Sequence, residues 1–162
     1  MAGKVIGTTL PFGYRGNVAA SPDTLIIPFT NVGEDNIDFG EPVIFDATDN
    51  GVRKIKTTDA SGLVGIAVRH IGQPYADNAQ GYYYKPGDVV DVLVRGSICV
   101  EVPVSTGIAA HGAVYVSKTA GSLGVISCAS GAGVIQMPNA VFRNGQVDGN
   151  KIAEITILER SI

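Results

Sequence analysis

The residues of this chain able to do acid–base, nucleophilic or metal chemistry are two histidines (His70 and His111), two cysteines (Cys99 and Cys128) and fifteen carboxylates. A zinc or iron centre draws on three or four converging ligands, often at His-x-His or His-x-x-x-His spacing, and neither spacing occurs. The cysteines lack the Cys-x-x-Cys spacing of a metal or redox site. Two of them in a chain of this length do not make a disulfide scaffold, so they read as reduced, mostly buried small hydrophobes. A Ser-His-Asp set needs no sequence proximity, but the Gly-x-Ser-x-Gly elbow that would announce one is absent. Glycine-rich phosphate loops are absent too; Gly131-Ala132-Gly133 precedes a strand pattern, not a helix. The close carboxylates Asp46/Asp49 and Asp88/Asp91 flank turns, where aspartate bonds its own backbone. The expectation is no catalytic residue, no cofactor and no metal, hence no enzyme.

What remains is surface suited to contact. Tyr82, Tyr83 and Tyr84 stand in a row, so any strand through them sends rings to both faces, and tyrosine combines apolar area with a hydroxyl. Phe12, Tyr14 and Arg15 lie in a segment without an apolar period, and covering such aromatics with a partner is a sensible use of them. These six residues are the candidate contact set.

The elements that must position them follow from composition. Among 162 residues there are 20 Val and 16 Ile against 6 Leu, with 21 Gly, 8 Pro and no Trp. β-Branched residues lose rotamer freedom in helices and pack well on a pleated sheet, so helical bundles and coiled coils are excluded. A 45% apolar content and a mean hydropathy of +0.22 exclude a disordered chain. The net charge is −3, and no Lys/Arg run exceeds Arg53-Lys54, so nucleic acid is not expected as a partner. No stretch approaches the roughly 18 apolar residues of a membrane span, and the start lacks a signal-peptide core. A soluble protein, made in the cytoplasm and without a membrane partner, is expected.

Along the chain, residues 1–23 carry Gly and Pro too often for a long element and read as an extended N-terminal arm. Residues 24–162 read as one β domain. Leu25-Ile26-Ile27-Pro28-Phe29 is broken by Pro and fits an edge strand. Val52–Thr57 reads as a mostly solvated strand, and Leu63–Ile71 as a buried one. Two period-2 stripes, Val90/Val92/Val94 and Ile98/Val100/Val102/Val104, flank Gly96, which marks a hairpin or a strand continuing through a bulge. Short strand patterns follow at 112–117, 123–127, 133–136, 140–143 and 152–159. The sum is an all-β domain of about nine or ten short strands, a compact jelly roll or a β-barrel or sandwich-like fold.

Several strings, in order along most of the chain, resemble the structural cement, or capsid decoration, proteins of tailed bacteriophages. They are Gly13-Tyr14-Arg15-Gly16-Asn17-Val18-Ala19-x-Ser21-Pro22-Asp23, Phe39-Gly40-Glu41-Pro42-Val43, Gly62–Arg69, Tyr84-Lys85-Pro86-Gly87-Asp88-x-Val90-x-Val92-Leu93, Arg95-Gly96-x-Ile98-x-Val100 and Gly112–Val116. The long segment 72–81 departs from the pattern. The resemblance implies a non-enzymatic virion protein that binds the capsid exterior and bridges neighbouring subunits of the major capsid protein. It also implies self-association, a homotrimer in preference to a homodimer. The alternative is a virion-surface β-sandwich module for carbohydrate or host-surface recognition, against which the absence of Trp counts. Removing residues 1–20 is expected to weaken attachment and leave a folded domain.

Overall fold

Valine and isoleucine at alternate positions, interrupted by turn residues, can bury one or both faces of a strand only by pairing with others. The computed structural model describes residues 12–19, 23–70, 83–103 and 107–159. Among these residues there are twelve strands and no helix. The strands are β1 (Val18–Ala19), β2 (Leu25–Thr30), β3 (Ile37–Asp38), β4 (Pro42–Asp46), β5 (Gly51–Lys54) and β6 (Leu63–Ala67). They continue with β7 (Tyr83–Tyr84), β8 (Val89–Glu101), β9 (Ala113–Ser117), β10 (Ile126–Ser127), β11 (Val134–Phe142) and β12 (Ile152–Ile157). The main sheet runs β10-β9-β11-β12-β8-β6-β4-β5, with β1 and β2 also paired to β8, while β3 and β7 form a separate ribbon. The main sheet is antiparallel and curled, a half-barrel, within the barrel or sandwich-like class expected. The strand count exceeds the expected one because β1, β3, β7 and β10 are two-residue pieces. Conversely, the stretches 133–136 and 140–143 are one strand with a register shift between Gln136 and Val141.

β8 organises the sheet. Its first half pairs with β2 and β6, and its second half with β12 and β1. It runs straight through Gly96 as a single strand, which decides between the hairpin and the bulge. Leu25 faces Arg95 and Ile26 faces Leu93, so Val94 is the extra residue of a bulge. One inserted residue reverses the alternation of faces. Val90, Val92 and Val94 therefore enter a smaller core with Ile37, Phe39, Val43 and Tyr84. Ile98, Val100 and Val102 enter the larger core with Phe142, Ile155 and Ile157. The two stripes, identical in period, serve opposite sides of the sheet.

β6 is buried at every position because it is covered on both faces. The stretch Val52–Thr57 departs from its reading as mostly solvated: Val52 of β5 and Ile55 just beyond it are buried, and Arg53 is held by carboxylates. Its Nη1 and Nη2 donate to the two Asp59 oxygens, each at 2.8 Å, and its Nε donates to Asp46 at 3.1 Å. The Lys56 N–H adds a 2.7 Å bond to Asp59. Hydrogen bonding from Arg53 holds the Asp59 carboxyl below the usual carboxylate value of 3.8. A carboxylate whose folded pKa is depressed contributes stability above the unfolded value and loses it as pH falls through the folded one. Asp59→Asn is expected to lose about 2 kcal/mol near neutrality, since the fork to Arg53 is charge-assisted. It should also flatten the acid limb, which urea midpoints between about pH 6 and about pH 2 measure. An acid limb as steep as the wild type's would contradict the assignment.

Candidate functional site

The described end of the N-terminal segment is attached to the sheet by its backbone. Gly16 N–H donates to the Cys99 carbonyl at 2.8 Å, Cys99 N–H to Asn17 O at 2.9 Å, and Arg69 N–H to Gly16 O at 2.8 Å. Tyr14–Asn17 is a turn closed by Asn17 N–H on Tyr14 O, with Gly16 at φ 81°, the value a type II turn demands at that position. Gly16 and Gly40 lie backbone to backbone. A Cβ on Gly16 would stand 2.9 Å from Gly40 N, and one on Gly40 2.8 Å from Gly16 N. This close approach exists only because neither residue has a side chain, and it presents Tyr14 and Arg15 at the corner of the turn.

Further back, Phe12 N–H donates to Asp148 Oδ2 at 3.0 Å, and the Cys99 thiol donates to the Phe12 carbonyl at 3.2 Å. Asp148 Oδ1 accepts the N–H groups of Asn150 and Ile152, so one carboxylate ties this segment to the 148–152 turn. Burial, with the charges of Glu154 and Asp148, pushes the Cys99 thiol up to about 11, so it stays protonated and serves as a donor. Neither cysteine is in a disulfide.

The candidate side chains now separate. Tyr14 is 67% exposed, yet its ring is ordered by the Arg69 guanidinium, whose carbon lies 4.5 Å from the ring centroid. Arg15 reaches Asp38 at 3.7 Å and Glu101 at 3.6 Å, long and partly solvated pairs that are worth little individually. Phe12 is half-buried. Tyr83 is half-buried on β7, paired with Asp38 of β3. Tyr84 is 1% exposed, donates its hydroxyl to the Val68 carbonyl at 2.6 Å, and sits edge-on to Phe39 at 5.1 Å. Tyr84 is therefore a core side chain and offers no surface for a contact. Tyr82 lies outside the described residues.

Two clefts meet at Arg15 and Phe39. One, about 600 Å³, is rimmed by Tyr14, Arg15, Arg69, Asn150 and Ile152. The other, about 240 Å³, holds Asp38, Glu41, Lys54 and Glu101 beside Leu123 and Val125. Within it Glu41 bonds Lys54 at 3.0 Å and accepts the Asp38 N–H at 3.0 Å, while burial raises its pKa. Among the described residues no three His, Cys, Asp or Glu side chains converge as a metal site. His70 and His111 are both exposed. The geometry places an exposed aromatic ring and a partly exposed guanidinium side by side on one turn.

Sequence reasoning missed Arg69, Asp148 and the Gly16/Gly40 contact. Arg69 lies within the strand pattern Leu63–Ile71, and nothing local ties it to Tyr14. Asp148 lies 136 positions from Phe12. The available signal is the resemblance, since Gly16, Gly40 and Arg69 fall inside the strings Gly13–Ala19, Phe39–Val43 and Gly62–Arg69.

In a comparison of folds, a chain from the capsid of Myoviridae phage XM1 superposes with a TM-score of 0.77. Its identity is 18%, and the match covers 99% of each chain. No curated protein sequence matches. The family model described as structural cement protein (E217 gp24/Pam3 gp6) matches residues 3–158. With nearly its whole length aligned to that model, on a fold shared with a phage capsid component, the chain belongs to the structural cement protein family.

Proposed function

We propose that this protein binds the outer surface of a bacteriophage capsid and holds neighbouring major capsid subunits together without catalysing a reaction. The observation that carries the reading is membership of the cement family over residues 3–158. It is supported by the exposed Tyr14–Arg15 turn, which is anchored by backbone bonds to the centre of the sheet. Many modest contacts repeated over a lattice give avidity without a tight single site. The net charge of −3 suits an outer surface better than a lumen filled with DNA. Self-association is part of the proposal: shell symmetry accommodates a trimer or a dimer, and the family resemblance favours the trimer.

The contact surface comprises the arm, including Phe12, Tyr14 and Arg15, together with Tyr82 and Tyr83. The test is stoichiometry. In purified particles this chain is expected in a fixed small-integer ratio to the major capsid protein. A handful of copies per particle would overturn the reading and favour a fibre or receptor-binding protein.

A further inference from the structure

We infer that the cleft between Tyr14, Arg15 and Arg69 receives a carboxylate-bearing segment of the major capsid protein, a deepening that rests on the capsid-binding reading above. The chain as a whole is acidic, yet among the described residues the charged ones that line this cleft of about 600 Å³ are both arginines. Asp38 and Glu101, the acidic partners of Arg15, lie on its other side in the smaller cleft. At 3.7 and 3.6 Å those pairs are beyond hydrogen-bond range, so a better-placed carboxylate can take the guanidinium fork at little cost.

Arg69 is preordered by stacking on Tyr14 at 4.5 Å, which lowers the conformational entropy lost when a ligand docks. The Gly16/Gly40 contact and the Arg69 N–H bond to Gly16 O fix the two arginines relative to each other. Ile152 and the Tyr14 ring supply apolar walls, so an acidic side chain flanked by apolar residues fits the lining. A phosphate backbone would also suit guanidinium groups. The overall negative charge disfavours nucleic acid, and an exterior position leaves protein carboxylates as the available ligand.

The experiment uses shells of the cognate major capsid protein assembled without this chain, titrated with wild type, Arg15→Ala, Arg69→Ala and Arg15→Lys. A parallel set of shells has its surface carboxylates converted to neutral amides by carbodiimide coupling. Each alanine variant is expected to bind untreated shells about 10-fold more weakly, with Arg15→Lys between it and wild type. Neutralised shells should weaken the wild type to the same degree and weaken the alanine variants little further. Melting curves separate a folding defect from a contact defect, and Arg15→Lys, which keeps the charge but not the fork, decides if alanine unfolds the turn.

Wild-type binding with unchanged variants would overturn the inference and leave the capsid reading standing. Loss of self-association in these variants without shells would overturn it too, by giving the arginines to a contact between copies. Failure of wild type to bind any shell would overturn the capsid reading itself, and the inference with it.

Discussion

Gly65→Val is expected to remove most of the folding free energy, and Gly65→Ala to cost about 3 kcal/mol. Gly65 sits in β6, which is buried on both faces between β4 and β8. A Cβ there would overlap the Leu93 carbonyl oxygen and stand 2.8 Å from Val92 Cγ1 and 2.9 Å from the Leu93 carbonyl carbon. Two of those three atoms are backbone, so relief requires β6 and β8 to move apart. That would disturb both cores at once, because β8 supplies Val92 to the smaller and Leu93 to the larger. A domain of this size has roughly 5–15 kcal/mol in all, so a valine at this point leaves little margin. Gly131→Ala is the control, since a Cβ there meets nothing within 4 Å and the backbone is not left-handed. Chemical denaturation of the three variants checks this. A Gly65→Val midpoint equal to that of Gly131→Ala would contradict the close packing of β6 on β8.

The second large effect separates reach from fold in the N-terminal segment. Deleting residues 1–11 is expected to weaken shell attachment while leaving the melting temperature within about 2 °C of wild type. Deleting residues 1–20 removes β1, the Gly16 and Asn17 bonds to Cys99, and the cover that Gly16 gives to Arg69 N–H. Net contributions near 1 kcal/mol per bond sum to about 3 kcal/mol, or a fall of about 5–10 °C. Calorimetry and shell binding on the two truncations check both effects. Equal melting temperatures would mean that residues 12–19 add nothing to the fold. A 1–11 deletion that binds as tightly as wild type would remove the arm's outer part from the contact.

Much of this fold is written locally. The all-β class follows from β-branched residues in short runs, and the expected buried strand at Leu63–Ile71 is present over Leu63–Ala67. The two stripes around Gly96 were legible as strands. Their assignment to opposite cores was not, because it depends on one unpaired residue, Val94, and on how β2 registers against it. The tyrosine row shows the same limit. Alternation says that neighbouring rings part company, but which one is buried depends on Phe39 and the Val68 carbonyl, supplied by distant segments.

Site residues divide in the same way. Tyr14 and Arg15 were picked out because an aromatic and a guanidinium lacked a periodic context. Arg69 and Asp148 reached the site through tertiary structure alone. Both contact the segment from distant positions in the chain, and no spacing rule encodes that.

If each copy bridges neighbouring subunits on the outside of a shell, as proposed, an electron cryomicroscopy map of the intact particle will show it. The expected result is density for this half-barrel on the outer surface, touching at least two major capsid subunits, with the Tyr14–Arg15 turn at a contact. Density inside the shell, at the portal or tail, or resting on a single subunit would contradict the account.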